Sequence, residues 1–216
     1  MRDVFSTIKS IGIVPVIKLE NPEDSLLLGK ALVEGGLPAA EVTFRTKSAA
    51  ESIALLKKEF PALTTGAGTV LTIEQAEAAI AAGASFIVTP GFNPRIVDFC
   101  LAKGMPVMPG VNSPSQVEQG LERGLKLLKF FPAEVSGGVK MLKALHGPYA
   151  EVSYVPTGGI DASNVESYLQ LSYVAAIGGS WMVKEDLIAS GQYGRITALC
   201  AEAVALVRRV RGPKLA

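Results

Sequence analysis

Cysteine and histidine are scarce: across 216 residues these two types are represented by Cys100, Cys200 and His146 alone. That inventory counts against a zinc cluster and against a nucleophilic triad centred on histidine. A carboxylate-held Mg²⁺ is left open by this inventory, although few acidic residues fall at the strand ends identified below. An excess of one charge is also missing. The formal net charge of +1 offers no electrostatic footprint for nucleic acid. Arg208, Arg209, Arg211 and Lys214 do cluster near the end, where they are expected to complement a helix C-terminus and fray into solvent. Long apolar runs are absent as well. No segment approaches the roughly 18 residues that a membrane helix needs. The opening Met1-Arg2-Asp3-Val4-Phe5-Ser6 holds no apolar signal core, and the expected location is the cytoplasm.

What is present suffices for a substantial core. With 49% hydrophobic residues and no composition shift or linker, the chain is expected to form one soluble domain over residues 1–216. Its chemistry must then come from Lys, Glu, Arg, Thr and backbone groups.

Short apolar runs recur about every twenty residues, at 14–19, 39–44, 64–70, 86–90, 106–111, 127–131, 154–158 and 174–178. Amphipathic stretches separate them, and several open on cap chemistry: Asn21-Pro22, Asn93-Pro94, Ser113-Pro114 and Asp161. Gly35, Gly36, Gly83, Gly104 and Gly124 close helices before the next strand. Eight strand–helix units imply a parallel sheet, and its economical closure is a (β/α)8 barrel of the TIM type. An open doubly wound sheet is the alternative. The barrel is preferred because no Gly-x-Gly-x-x-Gly turn follows the first strand, while glycines gather after the last two. Residues 192–209 are expected to add a terminal helix.

Lys129 interrupts the apolar run Leu127-Leu128-Lys129-Phe130-Phe131-Pro132. A buried ammonium must find a partner or lose its proton, so Lys129 is either an amine nucleophile or half of a structural ion pair. In a barrel the active site forms where strands run into the following helices. Strand two carries Glu41, Thr43 and Arg45 at alternate positions, which share one side, and strand six does the same with Lys129 and Phe131. Strand three ends in Gly66-Ala67-Gly68-Thr69. In the functional reading Lys129 is the nucleophile, Glu41 the proton shuttle, Arg45 and Thr69 the carboxylate receptors, and Phe131 an apolar wall. The competing reading pairs Glu41 with Lys129 for structure alone. Two glycine pairs, in Thr157-Gly158-Gly159-Ile160-Asp161 and Gly178-Gly179-Ser180-Trp181, fall where phosphate is often held in this architecture. Lys18 also interrupts an apolar strand but can snorkel to solvent from the turn at Glu20 and Asn21. His146, at a helix end, is expected to serve the terminal carbonyls.

Six ordered motifs then resemble the 2-keto-3-deoxy-6-phosphogluconate (KDPG) and 4-hydroxy-2-oxoglutarate aldolases: Glu41-Val42-Thr43-Phe44-Arg45-Thr46, Gly66-Ala67-Gly68-Thr69-Val70, Lys129-Phe130-Phe131-Pro132-Ala133-Glu134, Gly137-Gly138-Val139-Lys140, Pro156-Thr157-Gly158-Gly159-Ile160 and Gly178-Gly179-Ser180-Trp181. The similarity runs from about Val14 to Arg195. It implies a class I, metal-free and cofactor-free lyase of the Entner–Doudoroff route, usually a homotrimer, that releases pyruvate and glyceraldehyde 3-phosphate. It further implies Lys129 as the Schiff-base lysine, Glu41 as general acid/base, and Arg45 and Thr69 on the pyruvate carboxylate. Thr157 would contact substrate hydroxyls, Gly158, Gly159, Gly179 and Ser180 the phosphate, and Pro90 and Phe131 would line the site. The chain departs from the family pattern at Phe92 and in Gly110-Val111-Asn112-Ser113-Pro114, both expected to face the aldehyde half of the substrate. A phosphosugar isomerase or epimerase, or a non-catalytic phosphometabolite sensor, are the alternatives on the same scaffold.

Overall fold

A computed structural model describes residues 4–212, so Lys214 of the basic cluster lies outside the described residues. Helix α1 (Val4–Ile11) precedes strand β1 (Ile13–Ile17). Alternation follows: α2 (Asp24–Glu34), β2 (Ala39–Thr43), α3 (Ala49–Glu59), β3 (Thr64–Gly68), α4 (Ile73–Ala81), β4 (Ile87–Val88) and α5 (Pro94–Ala102). Strands β5 (Val107–Met108) and β6 (Gly110–Val111) lead into α6 (Pro114–Glu122), β7 (Leu127–Phe130), α7 (Gly138–His146) and β8 (Ser153–Pro156). The chain ends with α8 (Val165–Leu169), β9 (Ile177–Gly179), α9 (Glu185–Ala189) and α10 (Tyr193–Arg211).

All strand pairs are parallel, in one sheet ordered β5-β4-β3-β2-β1-β9 and another ordered β6-β7-β8. The expected fifth strand is split into β5 and β6 at Pro109, a residue with no N–H for a ladder. Its carbonyl still accepts from the Lys129 N–H at 3.0 Å. Isolated parallel bridges Tyr154↔Val174 and Thr157↔Gly178 join the β8 edge to the β9 side. Helices cover the outside of both sheets, so the strands are buried on both faces and read as apolar runs rather than alternations. All five residues of β2 are buried. Its apolar members Ala40 and Val42 face the helices' side of the pleat, which leaves Glu41 and Thr43 on the other side, where charge and hydroxyl need partners.

Cap chemistry explains where helices start. Thr72 accepts from the Gln75 N–H (3.2 Å) at α4, and Asn93 accepts from the Arg95 N–H (3.1 Å) ahead of Pro94 at α5. At α6 Pro114 takes the expected first-turn position but the Ser113 side chain makes no cap bond; Gln116 reaches back to the Asn112 N–H instead (2.8 Å). The Asn21-Pro22 and Asp161 starts are displaced. Helix α2 begins at Asp24, and Asp161 is spent on a turn with Ser163 (2.8 Å to its N–H), so α8 opens only at Val165. Positive φ at Gly36, Gly83, Gly104 and Gly124 ends the helices as expected.

The basic cluster behaves differently from the expectation of frayed cations. Arg209 pairs with Glu166 at 2.7 Å, and the half-buried Arg211 donates to the carbonyls of Val174 (2.7 Å), Ala175 (2.8 Å) and Leu169 (3.4 Å). It fastens the last helix across the start of the β9 segment. His146 also departs from its expected role: its ring stacks on Tyr173 (centroids 3.6 Å apart) and its buried Nδ1 has no hydrogen-bond partner. No described helix is long and apolar enough to cross a membrane.

Candidate active site

Strands β1, β2, β3, β4, β7, β8 and β9 send their C-terminal ends toward one cavity of about 310 Å³. At its buried end Lys129 Nζ of β7 lies 3.2 Å from Glu41 Oε1 of β2, with the two side chains 5% and 2% exposed. The partners belong to different sheets and are 88 residues apart in the chain. Glycine makes this meeting sterically feasible. Gly68 stands beside Thr43 in the β2–β3 register, and a Cβ there would overlap the Glu41 carboxylate. On the same face of β3, Gly66 leaves room for the Phe86 ring in the same way.

Around the pair, the Phe131 ring lies with its centroid 5.2 Å from Lys129 Nζ. Pro90 and Thr69 complete that part of the wall. Thr69 has φ 54, and among the described residues it is the one non-glycine with positive φ. A β-branched residue held there marks backbone strain, which tends to be stored at functional sites. Arg45, exposed at the rim, also lines the cavity, and its Nε donates to Thr43 Oγ1 at 3.0 Å.

The opposite rim is made by the two glycine-rich loops. Gly158 and Gly159 adopt φ 101 and 77, a region that L side chains rarely enter. Their loop is held from behind: Ala133 N–H donates to the Thr157 carbonyl (2.8 Å), Glu134 N–H to Gly158 (3.1 Å) and the Asn164 side chain to Gly159 (3.0 Å). The buried Tyr168 hydroxyl donates to Glu134 Oε1, and a Cβ on Gly159 would approach Glu134 Cβ to 2.8 Å. Burial, and then the Glu134 carboxylate, push the Tyr168 hydroxyl well above the ordinary tyrosine range. Thr157, 6% exposed, occupies the space that the missing side chain of Gly178 leaves open. Gly179 and Ser180 complete this side.

The structure thus brings ten of the eleven sequence-selected residues to the cavity wall and sets the other, Glu41, against Lys129. Val16, Thr43, Ile160 and Gly178 join them. Period-two alternation already placed Thr43 on this face; Glu134 was marked only as the end of the motif that begins at Lys129, and Asn164 and Tyr168 carried no signal, because these supports act through sequence-distant contacts. Lys18 is elsewhere. It pairs with Glu20 (2.8 Å) and Glu185 (2.9 Å), and these two hydrogen bonds hold its ammonium above the usual lysine range. Phe92 does not reach the cavity either. It packs beneath α6, near Gly120 and under the Arg123 guanidinium at 5.6 Å, so the expectation that it faces the substrate is corrected. Asn112 and Ser113 are likewise outside the lining, serving the start of α6. Among the described residues no group of three or more His, Cys, Asp or Glu could hold a metal ion.

The family model for KDPG and KHG aldolase matches residues 4–199. The chain belongs to that family. The 2-dehydro-3-deoxy-phosphogluconate aldolase of Treponema pallidum is 47% identical over 207 residues, covering 96% of this chain and 99% of that protein. The KHG/KDPG aldolase of Escherichia coli K12 is 43% identical, covering 89% and 90%. Among solved structures, a KDPG aldolase from Legionella pneumophila with pyruvate captured as a covalent carbinolamine superposes with a TM-score of 0.88. It is 41% identical and covers 92% of this chain and 95% of that one. The Zymomonas mobilis enzyme with 3-phosphoglycerate also gives 0.88, at 37% identity over 95% and 97%.

Proposed function

We propose that this KDPG/KHG-family chain is a class I aldolase that cleaves 2-dehydro-3-deoxy-6-phosphogluconate to pyruvate and glyceraldehyde 3-phosphate, and 4-hydroxy-2-oxoglutarate to pyruvate and glyoxylate. The observation that carries the reading is the buried Lys129–Glu41 pair, 3.2 Å apart beside a cavity whose opposite rim is two glycine-rich loops. A structural ion pair needs no cavity at its ammonium, whereas a nucleophile does. The covalent pyruvate carbinolamine of the Legionella relative supports the same chemistry.

In this reading Lys129 gives a proton to Glu41 and its amine adds to the C2 carbonyl, forming a carbinolamine. Glu41 returns that proton to the departing hydroxyl, and loss of water yields the protonated imine, an electron sink, with Glu41 again a carboxylate. Glu41, through a water, takes the proton of the C4 hydroxyl; the C3–C4 electron pair moves into the imine and the aldehyde leaves. The enamine is protonated at C3, and water then releases pyruvate and restores Lys129. Arg45 and Thr69 would hold the C1 carboxylate, Phe131 and Pro90 would exclude water, and Thr157 would meet the substrate hydroxyls. Gly158, Gly159, Gly179 and Ser180 would hold the phosphate through backbone N–H groups and one hydroxyl.

The scaffold belongs to the same proposal: one domain over residues 1–216, with the two parallel sheets as arcs of a closed (β/α)8 barrel. The two bridges beside β8, the Pro109 joint and the contact of Glu41 with Lys129 between sheets support closure. A homotrimer is proposed from family resemblance, and the exposed Leu71 and Val135, at 53% and 86%, are apolar surface for such an assembly to cover. The unpaired Cys100 and Cys200 support a reducing cytoplasmic setting, and the Entner–Doudoroff route is proposed from family resemblance. Coupled assay of pyruvate release from each of the two substrates tests the reading. Pyruvate from the phosphorylated acid at a kcat/KM above that for 4-hydroxy-2-oxoglutarate is expected; pyruvate from neither would refute it.

A further inference from the structure

Arg45 stands two residues past the end of β2 and is exposed, a situation in which an arginine normally samples many rotamers. Here it is restrained by a chain of hydrogen bonds running back to β1. Thr43, 1% exposed, donates its single hydroxyl proton to the Ile17 carbonyl at 2.8 Å. With that proton committed, its oxygen can only accept from Arg45, and it does so from Nε at 3.0 Å. Because Nε is the donor used, the terminal guanidinium fork remains to meet a carboxylate with two parallel bonds. Two further hydroxyls fix the same segment. Thr46 and Ser48 both donate to the Leu19 carbonyl, each at 2.6 Å, and lie 2.9 Å from one another. Three hydroxyls within Thr43-Phe44-Arg45-Thr46-Lys47-Ser48 therefore tie the loop after β2 to the end of β1.

We infer that Thr43, backed by the Thr46 and Ser48 anchors, is a positioning residue that sets the Arg45 fork at the angle the substrate carboxylate requires. The inference rests on the proposed role of Arg45. Valine matches threonine in shape yet can neither serve the Ile17 carbonyl nor accept from Arg45. Serine keeps both bonds. The effect of Thr43 should appear in the binding of the 2-oxo acid rather than in the amount of imine that can form.

The test is borohydride trapping of the pyruvate imine across a pyruvate titration, in Thr43→Val, Thr43→Ser, Arg45→Gln and the Thr43→Val/Arg45→Gln double variant. Losing a bond to a charged group should raise the half-trapping pyruvate concentration of Thr43→Val by about tenfold or more, with the maximal trapped fraction unchanged. Thr43→Ser should stay near the parent, and the double variant should be no worse than Arg45→Gln, because both remove one device. A raised value in Arg45→Gln with no change in Thr43→Val overturns the positioning role alone. No change in Arg45→Gln overturns the carboxylate role of Arg45 beneath it. Equal losses in Thr43→Ser, which keeps both hydroxyl bonds, and Thr43→Val would show that those bonds do not set the binding, and also overturn it. Should Thr43→Val not fold, Thr43→Ala against Thr43→Ser makes the same comparison.

Discussion

Replacing Thr69 by glycine should make the protein more stable and a poorer catalyst at once. Thr69 sits at φ 54 next to Gly68, at the cavity wall, and its Cβ carries two substituents into a backbone region that disfavours them. Such a residue stores about 1–3 kcal/mol of strain. Glycine removes the strain but restores freedom to the unfolded chain at a cost of about 0.5–1 kcal/mol, leaving a net gain of about 1 kcal/mol. For a chain of this length that corresponds to a rise in Tm of about 2–4 °C. The same change deletes the hydroxyl proposed to hold the pyruvate carboxylate, so KM for the phosphorylated acid should rise about tenfold or more. Urea denaturation and steady-state kinetics on one preparation read both effects. Thr69→Ala separates them, since it loses the hydroxyl while keeping a Cβ in the left-handed region: its KM should rise as much, with a smaller gain in stability. A Thr69→Gly protein that is less stable than the parent, with KM unchanged, would refute both the strain and the assigned contact.

Three further outcomes follow from particular contacts. A methyl group at Gly68 would overlap the Glu41 carboxylate, so Gly68→Ala should retain its circular dichroism yet lose about a hundredfold in cleavage rate, the scale of general acid–base help; near-parent turnover would contradict the packing argument. Removing the Arg211 guanidinium strands the carbonyls of Leu169, Val174 and Ala175, and Arg211→Met should lower the urea-derived stability by about 3 kcal/mol, whereas a loss below 0.5 kcal/mol, roughly the surface value, would make Arg211 an ordinary exposed cation. Burial pushes the Cys100 thiol up to about 11 and the Cys200 thiol up to about 12, from an ordinary 9.0. Unfolded thiols therefore release protons from about pH 9 while the folded ones retain theirs, so stability is full below that pH and declines toward pH 11–12. Urea midpoints from pH 8 to 11 should fall, and Cys200→Ala should flatten the fall by up to about 1.4 kcal/mol per pH unit; identical slopes would count against it.

Much of this molecule was legible in its sequence, for identifiable reasons. Parallel strands buried on both faces leave apolar runs, so the strand positions could be read directly, and the alternation Glu41, Thr43, Arg45 correctly put those residues on one side of β2. Helix α1 went unread because its buried residues, Ile8 and Ile11, make too short a pattern within eight residues. The split of the fifth strand follows from the N–H that Pro109 lacks, and the late start of α8 from the hydrogen bond that Asp161 has already committed to Ser163. At the site, the apposition of Lys129 and Glu41 followed from topology, but an ion pair and a nucleophile with its base share the 3.2 Å geometry. The cavity beside the pair favours the second, and no periodicity could have displayed that. Phe92 misled because a bulky residue in a loop after a strand can turn under the next helix as readily as toward substrate, and here Gly120 gives it space.

The central claim is that Lys129 is a nucleophile rather than a structural cation. Treating the protein with pyruvate and borohydride, then locating the reduced adduct by peptide mass spectrometry, tests it most directly. The account predicts one adduct, on Lys129, absent from Lys129→Gln and retained in Glu41→Gln, whose cleavage rate is severely reduced. An unmodified Lys129 in a protein that still cleaves the substrate, or an adduct on Lys18 instead, would contradict it.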